Sequence, residues 1–371
     1  MGAVLFFFGT LRHQELLEAV LGQTQHLVFS DASLPNHEVC AVEGHAFPLI
    51  RAQAGSSASG VVARGATRTD FARLDFYEKI FDYSLKEVSL ADGSLAQVYV
   101  PPEDRWVADG PWSIDIWKKT WSEMSVLAAR EAMAHMGRKT PSDLAAMWPN
   151  IQARASSSLR AAISKHGFMT HKGVAEIAQR FPVYAKYFAL DEFHVRHSQF
   201  DGSQSDWLDR AIFRPPDAAL VLPYDPVRDR VLLVEQIRMG PLIRGDKTLW
   251  QLEPIAGHID AGETPQEAAR REALEEANIV LDQLETVAEC YPSPGNSTEF
   301  FYVFVAPVAL PEEAAGMGGL DAEAEDIRSH LVPFEALMSY ADSMQLANSP
   351  LLIAAYWLAR HRERLRTSGS A

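Results

Sequence analysis

Two mixed α/β domains joined by helices are what this sequence predicts, and three observations lead there. The chain has 371 residues, more than one ordinary core takes in. Residues 1–110 alternate short apolar runs with turn signals, the period of strands. Residues 112–165 change to a helical period, and from about Lys172 strands return around one strongly marked helix. The division that follows is 1–122, 123–170 as a helical connector, and 171–371.

In the first region the clearest unit is a hairpin, with Lys86–Leu90 and Leu95–Val100 as strands and Ala91-Asp92-Gly93-Ser94 as the turn. Pro101-Pro102 closes the region. Trp112, Trp117 and Trp121 then open two or three helices carried by SVLAAREAMAHMGR and SDLAAMWPNIQARASSSLRAAI, interrupted at Pro141 and Pro149. Beyond them, AALVLPYDPVRDRVLLVEQIRMG reads as paired strands with a turn over Asp225-Pro226 to Asp229. Thr264-Pro265-Gln266-Glu267 is a capping box with proline at the first helical position, so a helix starts there. A last helix runs from Leu351 to about Leu365.

The net charge of −15 and pI near 5.3 argue against binding a phosphate backbone and for a small-molecule substrate. Cys40 and Cys290 are too few for a disulfide framework or a cysteine metal site. MGAVLFFFGTLR has no basic stretch before its apolar run, and no apolar stretch reaches spanning length, so a cytoplasmic protein without membrane contact is expected.

The chemistry concentrates in GHIDAGETPQEAARREALEEANI, residues 257–279. Glu272 and Glu276 fall one turn apart on one helix face with Glu275 beside them, although like charges at that spacing repel by a few tenths of a kcal/mol. A divalent cation would compensate. Ala268, Ala269 and Ala273 are small enough for close packing on a sheet.

This arrangement resembles the signature of the Nudix hydrolases, with Asn278 standing where the family usually has glycine. Asparagine is the second choice for a left-handed helix end, so the loop–helix–loop shape is expected to survive. Around the helix, LWQLEPIAGHIDAGE, YPSPGNSTE and GLDAEAEDIRSHLV are similar to the ADP-ribose pyrophosphatase branch over roughly 180–362. The resemblance implies an α/β/α sandwich and Mg²⁺-dependent hydrolysis of ADP-ribose to AMP and ribose 5-phosphate, with Mn²⁺ a substitute. It assigns metal binding to Glu272, Glu276, the Ala256 carbonyl and Glu325, and gives Glu275 a place as a further ligand or just outside the ligands. Arg271 would orient the carboxylates, Glu263 would brace the loop, and Glu323 would be the general base.

For the substrate the resemblance points to Glu253, Gly295 and Glu299, and to Arg238, readable as a phosphate clamp or as a rim ion pair. Asn296 replaces a usual glycine. Members of this branch are homodimers whose strands help build the adenine site, so Tyr187, Phe188, Phe193 or Phe200 could stack on the base. Alternatives are another nucleotide sugar such as GDP-mannose, or a sensor that binds ADP-ribose without cleaving it.

At the other end, LFFFGTLR, GHAFPL, Gly60-Val61-Val62 and RLDFYEKIFDY resemble the gamma-glutamylcyclotransferase-like domains over about 1–122. The implied fold is a mixed β-barrel. Backbone N–H groups of Gly9, Thr10 and Leu11 would grip the substrate, and Glu78 would take a proton from its α-amino group. Lys79 follows where glycine is usual, and its charge is expected to lower the pKa of Glu78. Some proteins pairing these two domains are associated with tellurite resistance.

Overall fold

The computed structural model describes residues 3–164, 171, 173–319 and 325–368. Two compact units divide the chain: Met1–Lys172 with Pro182–Tyr187, and Gly173–Phe181 with Phe188–Ala371.

The first unit follows the order β1 (Ala3–Phe7), α1 (Gln14–Leu21), β2 (Val28–Val42), β3 (Pro48–Ala66), α2 (Arg68–Glu78), β4 (Ser84–Ser89), β5 (Leu95–Val100), β6 (Ala108–Pro111), α3 (Ile114–Met133) and α4 (Pro141–Ile163). Its sheet has the order β4-β5-β1-β3-β2-β6. An inner strand is buried on both faces, which is why Leu5, Phe6 and Phe7 form an unbroken apolar run. β1 runs antiparallel to β3, with Phe6 opposite Val62, and parallel to β5. The hairpin expected over 86–100 is present as β4–β5, with Leu85 opposite Tyr99.

The expected barrel is instead an open sheet: β4 and β6 are its edges, and no ladder joins them among the described residues. β6 is four residues long, holds Gly110 at φ 69° and ends on Pro111, which has no N–H to donate. Such a strand cannot close a ring of hydrogen bonds.

The expected break at Pro149 is also absent, because α4 stays helical through it. Proline costs the helix a hydrogen bond, but Met147, Trp148 and Ile151 bury their side chains around it and packing outweighs the loss. The start of α4 is as read: Thr140 and Asp143 form a reciprocal cap with Pro141 at the first position. A buried ion pair fixes α4 to α3, with Arg154 Nε and Nη2 donating to Glu131 Oε1 at 2.9 and 2.6 Å. Arg154→Ala strands a buried carboxylate and is expected to cost about 3–5 kcal/mol, read as a lower urea midpoint.

A three-stranded sheet of β7 (Ala175–Ala185), β8 (Ala189–His197) and β9 (Leu208–Arg214) comes next along the chain. Then follow β10 (Ala218–Asp225), β11 (Arg230–Ile237), α5 (Met239–Arg244), β12 (Trp250–Glu253), β13 (Ile255–His258), α6 (Pro265–Ala277), β14 (Glu285–Cys290), β15 (Phe301–Pro307), β16 (Met317–Gly318), β17 (Ile327–Pro333), α7 (Phe334–Asp342) and α8 (Ser349–Ser368). The main sheet is ordered β14-β15-β10-β11-β17-β16, with β12 on β11 and β13 on β10.

Side chains alternate across a strand, and β10 shows it plainly. Leu220 and Leu222 pack with Leu337, Leu351 and Leu358 of α7 and α8. Ala219 and Val221 pack with Ala268, Ala269 and Ala273 of α6. The sheet thus lies between α6 and the α7–α8 pair, the α/β/α sandwich expected. The turn before β11 is built by Asp225, whose Oδ1 accepts the Val227 and Arg228 amides, and by Asp229 at φ 57°.

Candidate active site

Local chemistry alone places α6. Thr264 Oγ1 accepts the Glu267 amide while Glu267 Oε2 accepts the Thr264 amide at 2.8 Å, and Pro265 sits at the first position. At the far end Asn278 adopts φ 52°, and the Ile279 amide donates back to the Ala273 carbonyl at 3.0 Å. Asparagine therefore does here what glycine does at a left-handed helix end. Glu272 and Glu276 share the face that the alanines turn inward and lie against β13, at Gly257 and Ala256, with the half-buried Glu275 beside them.

Arg271 ties this acidic side to the loop before it. Its guanidinium donates to Glu263 at 2.9 and 3.0 Å, to Glu272 Oε1 at 2.7 Å, to Glu275 Oε2 at 3.0 Å and to the His258 carbonyl at 3.0 Å. Glu263 also accepts the Asp260 amide at 3.1 Å. One side chain thus fixes the strand end, the loop and two helix carboxylates.

Glu276 is only 2% exposed, and its Oε2 accepts the Ala256 amide at 3.3 Å. Burial, then the charge of Glu272, pushes its pKa up to about 8. Burial also raises Glu272 to about 7 against the pull of Arg271, with Glu275 and Glu325 adding repulsion. Glu325 acts on both, so it lies on the same side.

Two glycines make the approach possible. A Cβ on Gly257 would lie 1.8 Å from Glu272 Oε1, and one on Gly318 would lie 2.0 Å from the Glu276 carbonyl oxygen. The spacing of the acidic motif did not single out Gly318.

Glu272, Glu276 and the Ala256 backbone are brought together, and the charge of Glu325 reaches both carboxylates; Glu323 lies outside the described residues. Among the described residues no three His, Cys, Asp or Glu side chains converge as a ready cage. Glu272 is held by Arg271. The donor chemistry nonetheless fits a hard divalent cation: carboxylates are kept close against burial and mutual repulsion, and an uncompensated buried charge is costly.

The substrate candidates divide. Arg238 Nε donates to Glu253 Oε2 at 2.8 Å, and Asn348 Nδ2 holds Glu253 Oε1 at 3.0 Å. Arg238 is thus ion-paired here while its charge still reaches Glu276. Asn348 escaped the sequence reading, being 95 residues from Glu253. Its visible signal is a helix-start role, since its Oδ1 accepts the Leu351 amide at 2.9 Å.

In the 291–299 loop, the Asn296 carbonyl accepts the Phe213 amide at 2.9 Å and its Oδ1 accepts Ser293 Oγ at 2.7 Å, so Asn296 anchors the loop to β9. Gly295 has open space around it, and burial raises the pKa of Glu299. Of the four aromatic candidates, Phe188 packs edge-on against Phe213 at 5.0 Å and His258 at 6.0 Å. Phe193 is half-buried, whereas Tyr187 and Phe200 are exposed.

A separate cavity lies in the first unit, lined by Gly9, Thr10, Leu11, Glu78 and aromatic side chains that include Phe47 and Tyr83. Glu78 ends α2, and burial pushes its pKa up to about 8. The lowering expected from Lys79 does not occur: its ammonium pairs with Asp75 at 3.2 Å on the exposed side of the helix. Gly9 packs on Pro48, where a Cβ would come within 2.9 Å of the ring.

Known proteins fit both sites. The NUDIX domain family matches residues 214–352, and the gamma-glutamyl cyclotransferase, AIG2-like family matches residues 5–114. The ADP-ribose pyrophosphatase of Escherichia coli (strain K12) is 38% identical over 195 residues, which are 53% of this chain and 92% of that protein. Its counterpart from Haemophilus influenzae is 33% identical over 195 residues, 52% of this chain and 89% of that protein. The GDP-mannose pyrophosphatase of Enterobacter sp. (strain 638) is 28% identical over 149 residues, 40% of this chain and 76% of that protein. The capped acidic helix, its arginine bracket and these likenesses together show that the chain belongs to the NUDIX family through its C-terminal half, with a gamma-glutamyl cyclotransferase, AIG2-like domain preceding it.

Proposed function

We propose that the second unit hydrolyses ADP-ribose to AMP and ribose 5-phosphate with Mg²⁺, or Mn²⁺ in its place. The observation that carries this is the pair of Glu272, held by Arg271 over Gly257, and Glu276, whose carboxylate accepts the Ala256 amide, with the charge of Glu325 acting on both. The choice of ADP-ribose over GDP-mannose follows the identities, 38% over nearly a whole ADP-ribose pyrophosphatase against 28% over a shorter span.

Glu272, Glu276, Glu325 and the Ala256 carbonyl would hold the cation, which when bound neutralises the diphosphate and acidifies the attacking water. Arg271 keeps the carboxylates in place, with Glu275 as its further partner. Glu323 takes the proton of the water whose oxygen attacks phosphorus as the P–O–P bridge breaks. Arg238, shared between Glu253 and a phosphate oxygen, clamps the substrate, while Gly295 and Glu299 meet its terminal ribose. Phe188 is the aromatic best placed for a base, being packed beside the His258 end of β13.

In the same reading the enzyme is cytoplasmic and works as a homodimer through the second unit, in a detoxification setting that includes tellurite resistance. The exposed apolar side chains of Ile177, Ile243 and Trp250 support such an interface. No helix among the described residues is long and apolar enough to cross a membrane. Residues 1–122 carry one chemistry, with side chains of the helical segment 123–170 lining the same cavity, and 171–371 carry the other.

Purified full-length protein with Mg²⁺ should release AMP from ADP-ribose with kcat/KM at least about tenfold above that for GDP-mannose. Tight binding of ADP-ribose without AMP would overturn the hydrolase in favour of a sensor.

The buried Glu78 supports a second reaction in the first unit. It would take a proton from the α-amino group of a γ-glutamyl amide. The amine nitrogen attacks the γ-carbonyl, the amide C–N bond breaks, and the proton leaves with the released amine, giving 5-oxoproline. A base must be ionised to act, so 5-oxoproline formation is expected to rise with pH through about 8 and then level off, and Glu78→Gln should abolish it. Stability has the opposite sense: a raised carboxyl pKa favours the fold when protonated, so that contribution is lost as pH climbs from about 4.5 to about 8. Thermal melts of Glu78→Gln should lack that slope.

A further inference from the structure

The segment matching the cyclotransferase family stops at residue 114, where α3 begins. Yet Ser125 of α3 and Trp148 and Gln152 of α4 line the same cavity as Gly9, Thr10 and Glu78. Trp148 and Gln152 are one turn apart and share a helix face. Trp148 is 9% exposed, with its ring perpendicular to Phe81 at 4.9 Å and tilted against Tyr77 at 6.2 Å. Its indole Nε1 is buried and has no hydrogen-bond acceptor among the described residues. A buried indole N–H normally finds a partner, since leaving one unmade is destabilising. Slack in α4 does not explain this one, because the buried Arg154–Glu131 bridge anchors the helix less than two turns further on.

The charge of the lining narrows what could supply the acceptor. Its side chains are aromatic, aliphatic, hydroxyl or amide, with Glu78 the carboxyl and no cation among the described residues. An anionic group beside Trp148 and Gln152 would meet no counter-ion side chain, and could be taken only by backbone N–H groups such as those of Gly9, Thr10 and Leu11. A neutral carbonyl, by contrast, suits an indole N–H with an amide and a hydroxyl beside it.

We propose that α4 completes this cavity, with Trp148 donating its indole N–H to the amide carbonyl of a small acyl-amide ligand and Gln152 reading the same group. The assignment deepens the cyclotransferase reading and rests on it, leaving the ligand's carboxylate to the backbone of Gly9, Thr10 and Leu11. Residues outside the family-matched segment would then decide which amides the cavity accepts.

Trp148→Phe keeps a ring and removes the N–H, and full-length protein with γ-glutamylalanine as probe tests it. The amide oxygen gains negative charge as the amine adds to its carbon, so a donor to it holds the transition state more tightly than the substrate, and its loss lowers kcat. The variant should show kcat lower by about 10²-fold with KM little changed. Gln152→Leu should lower kcat in the same direction. In indole-¹⁵N-labelled wild type, the Trp148 resonance, identified by its loss in Trp148→Phe, should move downfield on adding γ-glutamylalanine to Glu78→Gln-arrested or native protein. That shift requires no folded variant beyond the assignment. If wild type neither binds nor turns over the probe, the cyclotransferase reading fails and takes this assignment with it. If wild type turns it over while Trp148→Phe matches its kcat and the indole resonance stays still, the role of Trp148 alone is overturned.

Discussion

Replacing Glu276 with glutamine is expected to lower ADP-ribose hydrolysis by about 10³-fold while leaving the melting temperature unchanged or higher. The two halves of this expectation have one cause. Glu276 is 2% exposed, and burial with the nearby Glu272 raises its pKa to about 8. A carboxyl whose folded pKa exceeds its unfolded value stabilises the fold when protonated, and that stability is lost as pH rises from about 4.5 to about 8. Glutamine is close in shape and its amide oxygen can still accept the Ala256 N–H, so the variant keeps the contact and drops the unfavourable charge. What it would lose is the charged ligand proposed for the cation. Melts at pH 8 with and without Mg²⁺ should therefore show a smaller Mg²⁺-dependent gain in the variant than in wild type. A variant that unfolds, or one that keeps activity within tenfold, would show Glu276 to be structural.

Much of this site is legible in the sequence because it is local. The cap at Thr264, the left-handed Asn278 and the Arg271–Glu263 contact all lie within the 23 residues from Gly257 to Ile279, where spacing largely fixes geometry. The β4–β5 hairpin is legible for the same reason. What sequence could not give depends on partners far along the chain. Asn348 reaches Glu253 across 95 residues, and Trp148 meets Tyr77 across an intervening sheet and helix. Pro149 promised a break that buried neighbours on its own helix override. The predicted effect of Lys79 on Glu78 assumed that sequence neighbours face one another. On a helix consecutive side chains diverge, and Lys79 finds Asp75 four residues back. The open first sheet is a similar case, since closure depends on whether two distant edges pair.

Gly257→Ala is expected to cost about 1–3 kcal/mol of stability but about 10²-fold in ADP-ribose hydrolysis. Gly257 pairs with Ala219 in the β10–β13 ladder, and its backbone lies outside the positive-φ region, so conformational freedom is not why glycine stands there. Space is the reason. The new methyl would sit 1.8 Å from Glu272 Oε1 and 2.0 Å from its Cδ, so either β13 leaves β10 or Glu272 leaves Arg271. Lifting the strand would break ladder hydrogen bonds and disturb Ile255, which is fully buried. Swinging the glutamate needs only another rotamer, so it is the path the protein should take, and it removes the carboxylate from its working position. Adding Glu272→Asp to Gly257→Ala draws the carboxylate back by one methylene, and should restore stability without restoring rate. Gly240→Ala is a fair control, with open space around its Cα and a helical position that alanine favours. Wild-type kinetics in Gly257→Ala would mean that the working enzyme does not hold Glu272 over this glycine, and the bracket built by Arg271 would lose its claim to set the metal site.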